Sequence, residues 1–161
     1  MMRFIILHCS ATRVDRRYTF EQCRADHISH RGWRDIGYHY YVELDGSVHI
    51  GRPEGQQGAH CRGHNHRSIG VCYEGGLSRY GNPMDTRTEA QKAALWQLLQ
   101  DLHRRHPHAM IVGHRDLSPD RNGDGRITPD EYVKLCPCFD ARREYEELQP
   151  PDWEIAAMVT N

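Results

Sequence analysis

Residues 113–140, GHRDLSPDRNGDGRITPDEYVKLCPCFD, constrain this chain more than any other stretch. They hold a histidine, a full calcium-loop pattern, a lysine and a Cys-Pro-Cys. Ordinary connections do not concentrate so many ligating and titratable side chains, so a functional site is expected here. The apolar run 109–112 (AMIV) leads into it, which places His114 just past the C-terminal end of a strand. At the far end, Lys134, Cys136 and Cys138 bring an ammonium and two soft sulfurs.

The rest of the chain supplies the scaffold for that stretch. Residues 3–9 (RFIILHC) have the apolar, β-branched character of a central strand and deliver His8 at its end. Thr19 and Gln22 form a capping box for a helix to about residue 30, halted at Gly32, with Phe20, Cys23 and His27 on its buried side. Residues 38–44 and 47–50 flank Asp45-Gly46 as a hairpin. Alternation assigns Tyr38, Tyr40 and Val42 to one face and His39, Tyr41 and Glu43 to the other.

Residues 51–67 form a loop rich in glycine and histidine, 68–73 (SIGVCY) a short buried strand, and 74–87 a second loop. Leu95, Leu98, Leu99 and Leu102 mark the buried stripe of a helix over 88–106, opened by Thr88 and Gln91 and closed by Pro107. A last polar helix is expected over about 139–148. In the tail, residues 151–161, Trp153, Ile155 and Met158 are expected to fold back on the body. This order predicts one α/β domain, residues 1–150, with a mixed β-sheet covered by helices.

Composition removes several function classes. A chain of 161 residues buries a core without disulfides, and Cys9 and Cys72 read as small buried hydrophobes. No run approaches 18 apolar residues and the N-terminus turns polar early, so neither a membrane span nor a signal peptide is expected. The net charge is −1, and residues 116–161 carry five basic against eleven acidic side chains. Without a concentrated basic face, nucleic acid is not an expected partner, and a monomer is expected.

Three groups can converge on one metal: His8, His114 and either Cys136 or Cys138. Two imidazoles and a thiolate suit zinc, and three protein ligands leave a fourth position for water. The alternative is a satisfied core histidine at His8 and a surface turn at His114. Tyr38 and Lys134 are candidates for a proton shuttle and an oxyanion donor, against the plainer readings of an aromatic core residue and a solvated lysine.

The blocks HCSAT (8–12), RGWRDIGYHYYV (31–42), LDGSVHIGRP (44–53), GHNHRSIGVCYEGG (63–76), VGHRD (112–116) and KLCPCFD (134–140) occur in a consistent order. Together they resemble the type 2 N-acetylmuramoyl-L-alanine amidases, the family of phage T7 lysozyme and the animal peptidoglycan recognition proteins. The resemblance implies a Zn2+ ion at the C-terminal edge of a mixed sheet and cleavage of the amide between N-acetylmuramic acid and L-alanine in bacterial peptidoglycan. Carried over by position, it implies zinc ligands at His8, His114 and Cys136, catalytic residues at Tyr38 and Lys134, and a groove wall at His60, with Cys138 in a variable position. It further implies a phage endolysin, made in the host cytoplasm and released to the wall by a holin or by lysis. Rival readings are a peptidoglycan-binding module without hydrolysis and a calcium-dependent interaction protein. Binding-only members of the family lack the ligand cysteine, which this chain keeps.

The departure from the family lies at residues 120–131, DRNGDGRITPDE. Asp120, Asn122, Asp124, the Arg126 carbonyl, Thr128 and Glu131 occupy the ligand positions of an EF-hand loop, with Gly125 at the sixth position and Ile127 at the eighth. Such an oxygen set suits Ca2+, and an exit helix starting within the loop would lead to Lys134 and Cys136. The other reading is a turn in which Thr128, Pro129 and Glu131 cap a short helix.

Overall fold

In a computed structural model, which describes residues 1–154, the elements in chain order are β1 (Phe4–Cys9), β2 (Thr12–Arg13), α1 (Phe20–Arg31), β3 (Tyr40–Val42), β4 (Val48–Ile50), β5 (Ser68–Tyr73), β6 (Gly76–Leu77), α2 (Glu89–Arg105), β7 (Met110–Gly113) and α3 (Ala141–Glu144). Five strands form a mixed sheet ordered β4-β3-β5-β1-β7. Three of its pairings are parallel: β1 with β5 and with β7, and β3 with β5. Only β4 runs antiparallel, returning from β3 across the Asp45-Gly46 turn, where Gly46 takes φ 85°.

Every residue of β1 is buried, as a central strand covered on both faces requires. Its odd residues Ile5, Leu7 and Cys9 join Leu95, Leu99 and Leu102 of α2 in the larger core. Its even residues Phe4, Ile6 and His8 face the other side, where Phe4 and Ile6 pack with Cys61, Met110 and Val112. Beside them, Phe20 and Cys23 of α1 pack on Ile36, Tyr41 and Cys72. Both helices start at the expected capping boxes, Thr19 with Gln22 and Thr88 with Gln91, and α1 stops at Gly32 with φ 67°.

Four expectations need correction. The strand expected from residue 38 begins at Tyr40, because the His39 Nδ1 accepts the Gly70 N–H and a bend precedes the ladder. Tyr38 therefore lies with Tyr41 on the α1 face instead of with Tyr40 and Val42. The loop over 74–87 contains β6, which pairs in parallel with β2. The last helix is one turn, Ala141–Glu144, followed by the 3-10 turn Glu146–Leu148.

The fourth correction concerns the exit from residues 120–131. Pro129–Glu131 is a single 3-10 turn and Tyr132 is already extended, so no helix runs on to Lys134. The Thr128 and Glu131 capping pair closes on itself there. In the tail, Trp153 packs against the Arg143 guanidinium at 5.3 Å, while Ile155 and Met158 lie outside the described residues.

Candidate active site

The parallel register of β1 and β7 sets Leu7 beside Gly113, so the next residues, His8 and His114, leave adjacent strand ends. Their ring centroids are 4.7 Å apart. Cys136 comes from the long connection after β7. The Arg115 N–H donates to the Cys136 carbonyl at 2.9 Å, and the Cys9 N–H donates to the Cys136 Sγ at 3.2 Å. Pro137 seals this approach: a Cβ at Gly113 would lie 2.6 Å from its Cδ, and its carbonyl accepts the Tyr73 hydroxyl at 2.7 Å.

One ligand atom from each of His8, His114 and Cys136 lies within 4.8 Å of the other two. Metal bonds of about 2.0–2.3 Å need ligand atoms closer than that limit, as the His8–Cys136 pair is, and two imidazoles with one thiolate match the donor set of a zinc site. The His8 Nδ1 faces the Cys136 Sγ at 3.8 Å. Among the described residues this is the one group of three or more His, Cys, Asp or Glu side chains with that spacing. Cys138 stands apart, its Sγ directed to the Gly76 carbonyl at 3.5 Å.

Burial tunes the imidazoles. It pulls His8 well below the usual histidine range, with His60, His114 and Lys134 adding to the effect. Burial first and Lys134 second bring His114 down to about 4. Burial also brings His60 to about 3. Neutral rings at neutral pH are what a metal ligand needs.

Tyr38 lies against His8 at 5.2 Å between ring centroids and against His27 at 5.7 Å. Burial, then the thiols of Cys72 and Cys136, push its phenol well above the usual range. Lys134 is exposed and faces a groove of about 660 Å³ shared with His60, His114, Arg31, Trp33 and Arg62. A second groove of about 420 Å³ is lined by Tyr38, Ser10, Asp26 and His27, and Arg31 lines both grooves. His114 lines the larger groove and Tyr38 the smaller, so each groove reaches one residue of the candidate centre.

His60 lines the first groove as expected, and it also reaches the centre: its Nδ1 is 3.0 Å from the His8 Nε2. The sequence reading missed this contact, together with Arg31, Trp33 and Arg62 in the groove. The glycines around His60 were the available signal, since Cβ atoms at Gly58 and Gly70 would both lie 2.6 Å from its ring.

Within the loop expected to bind calcium, the side chains hydrogen-bond to one another and to the loop's own backbone. Asp120 accepts the Gly123 and Gly125 N–H groups, Asn122 accepts that of Asp124, and Asp124 accepts that of Arg126. Glu131, buried, accepts the N–H groups of Arg121, Asn122 and Thr128, and the Thr128 hydroxyl donates to Asp130. The loop's side chains hold its own backbone.

Comparison with known proteins converges on one family. The family model described as N-acetylmuramoyl-L-alanine amidase matches residues 1–131. An endolysin of Klebsiella phage KP32 is 36% identical over 143 residues, covering 89% of this chain and 85% of the phage protein. The solved amidase LysC from Clostridium intestinale superposes with a TM-score of 0.66 at 26% identity, over 91% of this chain and 82% of LysC. Drosophila PGRP-LB gives a TM-score of 0.68 at 21% identity, over 90% and 79% of the two chains, a likeness in fold. By sequence and by fold, this chain belongs to the N-acetylmuramoyl-L-alanine amidase family.

Proposed function

We propose that this protein is a zinc-dependent N-acetylmuramoyl-L-alanine amidase that hydrolyses the amide between N-acetylmuramic acid and L-alanine in bacterial peptidoglycan. The observation that carries this reading is the spacing of His8, His114 and Cys136 at the C-terminal edge of the sheet, within 4.8 Å of one another. Residues 1–150 form the catalytic unit in this reading, which the family match over 1–131 supports.

His8, His114 and Cys136 would hold the zinc. When bound, zinc polarises a carbonyl and makes water a stronger nucleophile at neutral pH. Tyr38, whose phenol keeps its proton at neutral pH, orients the attacking water and passes a proton toward the departing amine. Lys134 presents its ammonium from the groove wall to the developing oxyanion. The groove beside Lys134 and the groove beside Tyr38 accept the two halves of the substrate, the glycan side and the peptide side of the scissile bond. Arg31, Arg62 and Lys134 make the larger groove cationic, which suits a peptide stem bearing carboxylates.

The retained Cys136, with Tyr38 and Lys134 beside it, favours hydrolysis over binding alone. The phage relative named as an endolysin supports a role in host lysis; in the same reading the protein is released by a holin or by lysis and acts as a monomer. No helix among the described residues is long and apolar enough to cross a membrane. Calcium at residues 120–131 rests on the sequence pattern alone, and calorimetry on chelator-stripped protein tests it: no binding at millimolar Ca2+ removes it. The zinc amidase reading is tested by Cys136→Ser, which should abolish both stoichiometric zinc and peptidoglycan cleavage, whereas retained cleavage overturns the assignment.

A further inference from the structure

His60 is built into the protein more firmly than a groove wall needs to be. Its backbone N–H and that of Cys61 both donate to the Asn65 Oδ1, at 2.9 and 2.8 Å. Its ring lies on Gly70 of β5, and its Nε2 is 3.2 Å from the hydroxyl of Ser68, two residues earlier on the same face of that strand. Its Nδ1 meets the His8 Nε2 at 3.0 Å. Each ring nitrogen of His60 thus has one defined partner.

We propose that His60 is a positioning residue: backed by Ser68, it accepts the Nε2–H of His8 and so keeps the His8 Nδ1 lone pair turned toward Cys136 and His114. Between two neutral imidazoles one nitrogen must donate and the other accept. If His60 donated, the proton of His8 would sit on Nδ1, against the Cys136 Sγ at 3.8 Å, and that nitrogen could not ligate. With His8 donating, the His60 proton lies on Nε2 and goes to the Ser68 oxygen, so both contacts are met while the His8 Nδ1 stays free to ligate. Partners of this kind fix ligand tautomer and ring orientation, and their loss costs about 10- to 100-fold in metal affinity. The inference rests on the zinc reading of the centre, but its readouts need no peptidoglycan.

The test has two parts. In metal-free wild-type protein, long-range 1H–15N spectra of the histidine rings should show His8 as the Nε2–H tautomer; the Nδ1–H tautomer overturns the proposal. In zinc competition against a chromophoric chelator, His60→Ala should lose about 10- to 100-fold in affinity. His60→Asn, whose Oδ1 can accept near the same place, should recover most of that loss. Zinc binding by His60→Ala as tight as wild type overturns the proposal, and if that variant does not fold, the wild-type spectrum decides. Protein that shows the tautomer and the His60-dependent affinity but leaves sacculi intact would sink the amidase reading and keep this one.

Discussion

The Arg115 N–H donates to the Cys136 carbonyl across 2.9 Å and so ties together the two ends of a twenty-residue excursion. His114 immediately precedes the first of these residues, and Cys136 is the second. The whole of 120–131 hangs outside this tie, with its polar side chains spent on its own backbone. Strand register and this backbone hydrogen bond thus place His114 and Cys136 at the sheet edge whatever the path of the residues between them.

If Tyr38 and Lys134 act on the reacting atoms and not on the metal, their removal should separate activity from zinc content. Tyr38→Phe and Lys134→Met are expected to bind one zinc each while losing roughly 100- to 1000-fold in kcat. Metal analysis alongside turnover on purified sacculi reads both quantities. Loss of zinc from either variant would assign that residue to the structure of the centre instead.

Glu54 offers a pH-dependence away from the site. Burial alone would raise its carboxyl, but hydrogen bonds from Tyr40, His106 and Arg105 outweigh that and bring it to about 2, from 4.5. A folded-state value below the unfolded one stabilises the protein above about 4.5, and this contribution is lost as the pH falls through about 2. With Arg105 partly exposed, it is expected to be roughly 1–2 kcal/mol at neutral pH. Urea unfolding of Glu54→Gln should show lower stability at pH 7 and a flatter dependence between pH 4.5 and 2; equal slopes for the two proteins would contradict this.

Gln91 links helix α2 to the sheet. Fully buried, its Nε2 donates to the Val42 and Glu74 carbonyls and its Oε1 accepts the Thr88 N–H, completing the cap. Gln91→Leu would strand the Glu74 carbonyl and the Thr88 N–H, while the Val42 carbonyl keeps the Glu74 N–H, at a cost of roughly 2–3 kcal/mol in denaturant unfolding. A variant as stable as wild type would show that the sheet and the cap relax to find other partners.

Much of this arrangement is legible in the sequence for identifiable reasons. His8 and His114 stand out because each ends an apolar run, and parallel strands bring such ends to one edge. Helix α2 is legible because its leucines recur at helical spacing between a capping box and Pro107. Alternation misassigns the face of Tyr38, because the strand begins only at Tyr40, after a bend at His39 whose side chain accepts the Gly70 N–H. The exit helix after residue 128 was expected from a real capping pair, but three residues of 3-10 turn use it up. The contact between His60 and His8 crosses 52 residues and depends on loop closure through Asn65; the glycines around His60 signal a close approach but do not name the partner.

The most direct test is digestion of purified sacculi by the zinc-loaded protein, with the new termini identified by mass spectrometry and with a zinc-stripped control. The account predicts intact glycan strands with free lactyl groups on the muramic acid, and stem peptides with a new L-alanine amino terminus. These products should appear only with zinc and be absent with Cys136→Ser. New reducing sugar ends, cleavage within the stem peptide, or the same products from zinc-stripped protein would contradict it.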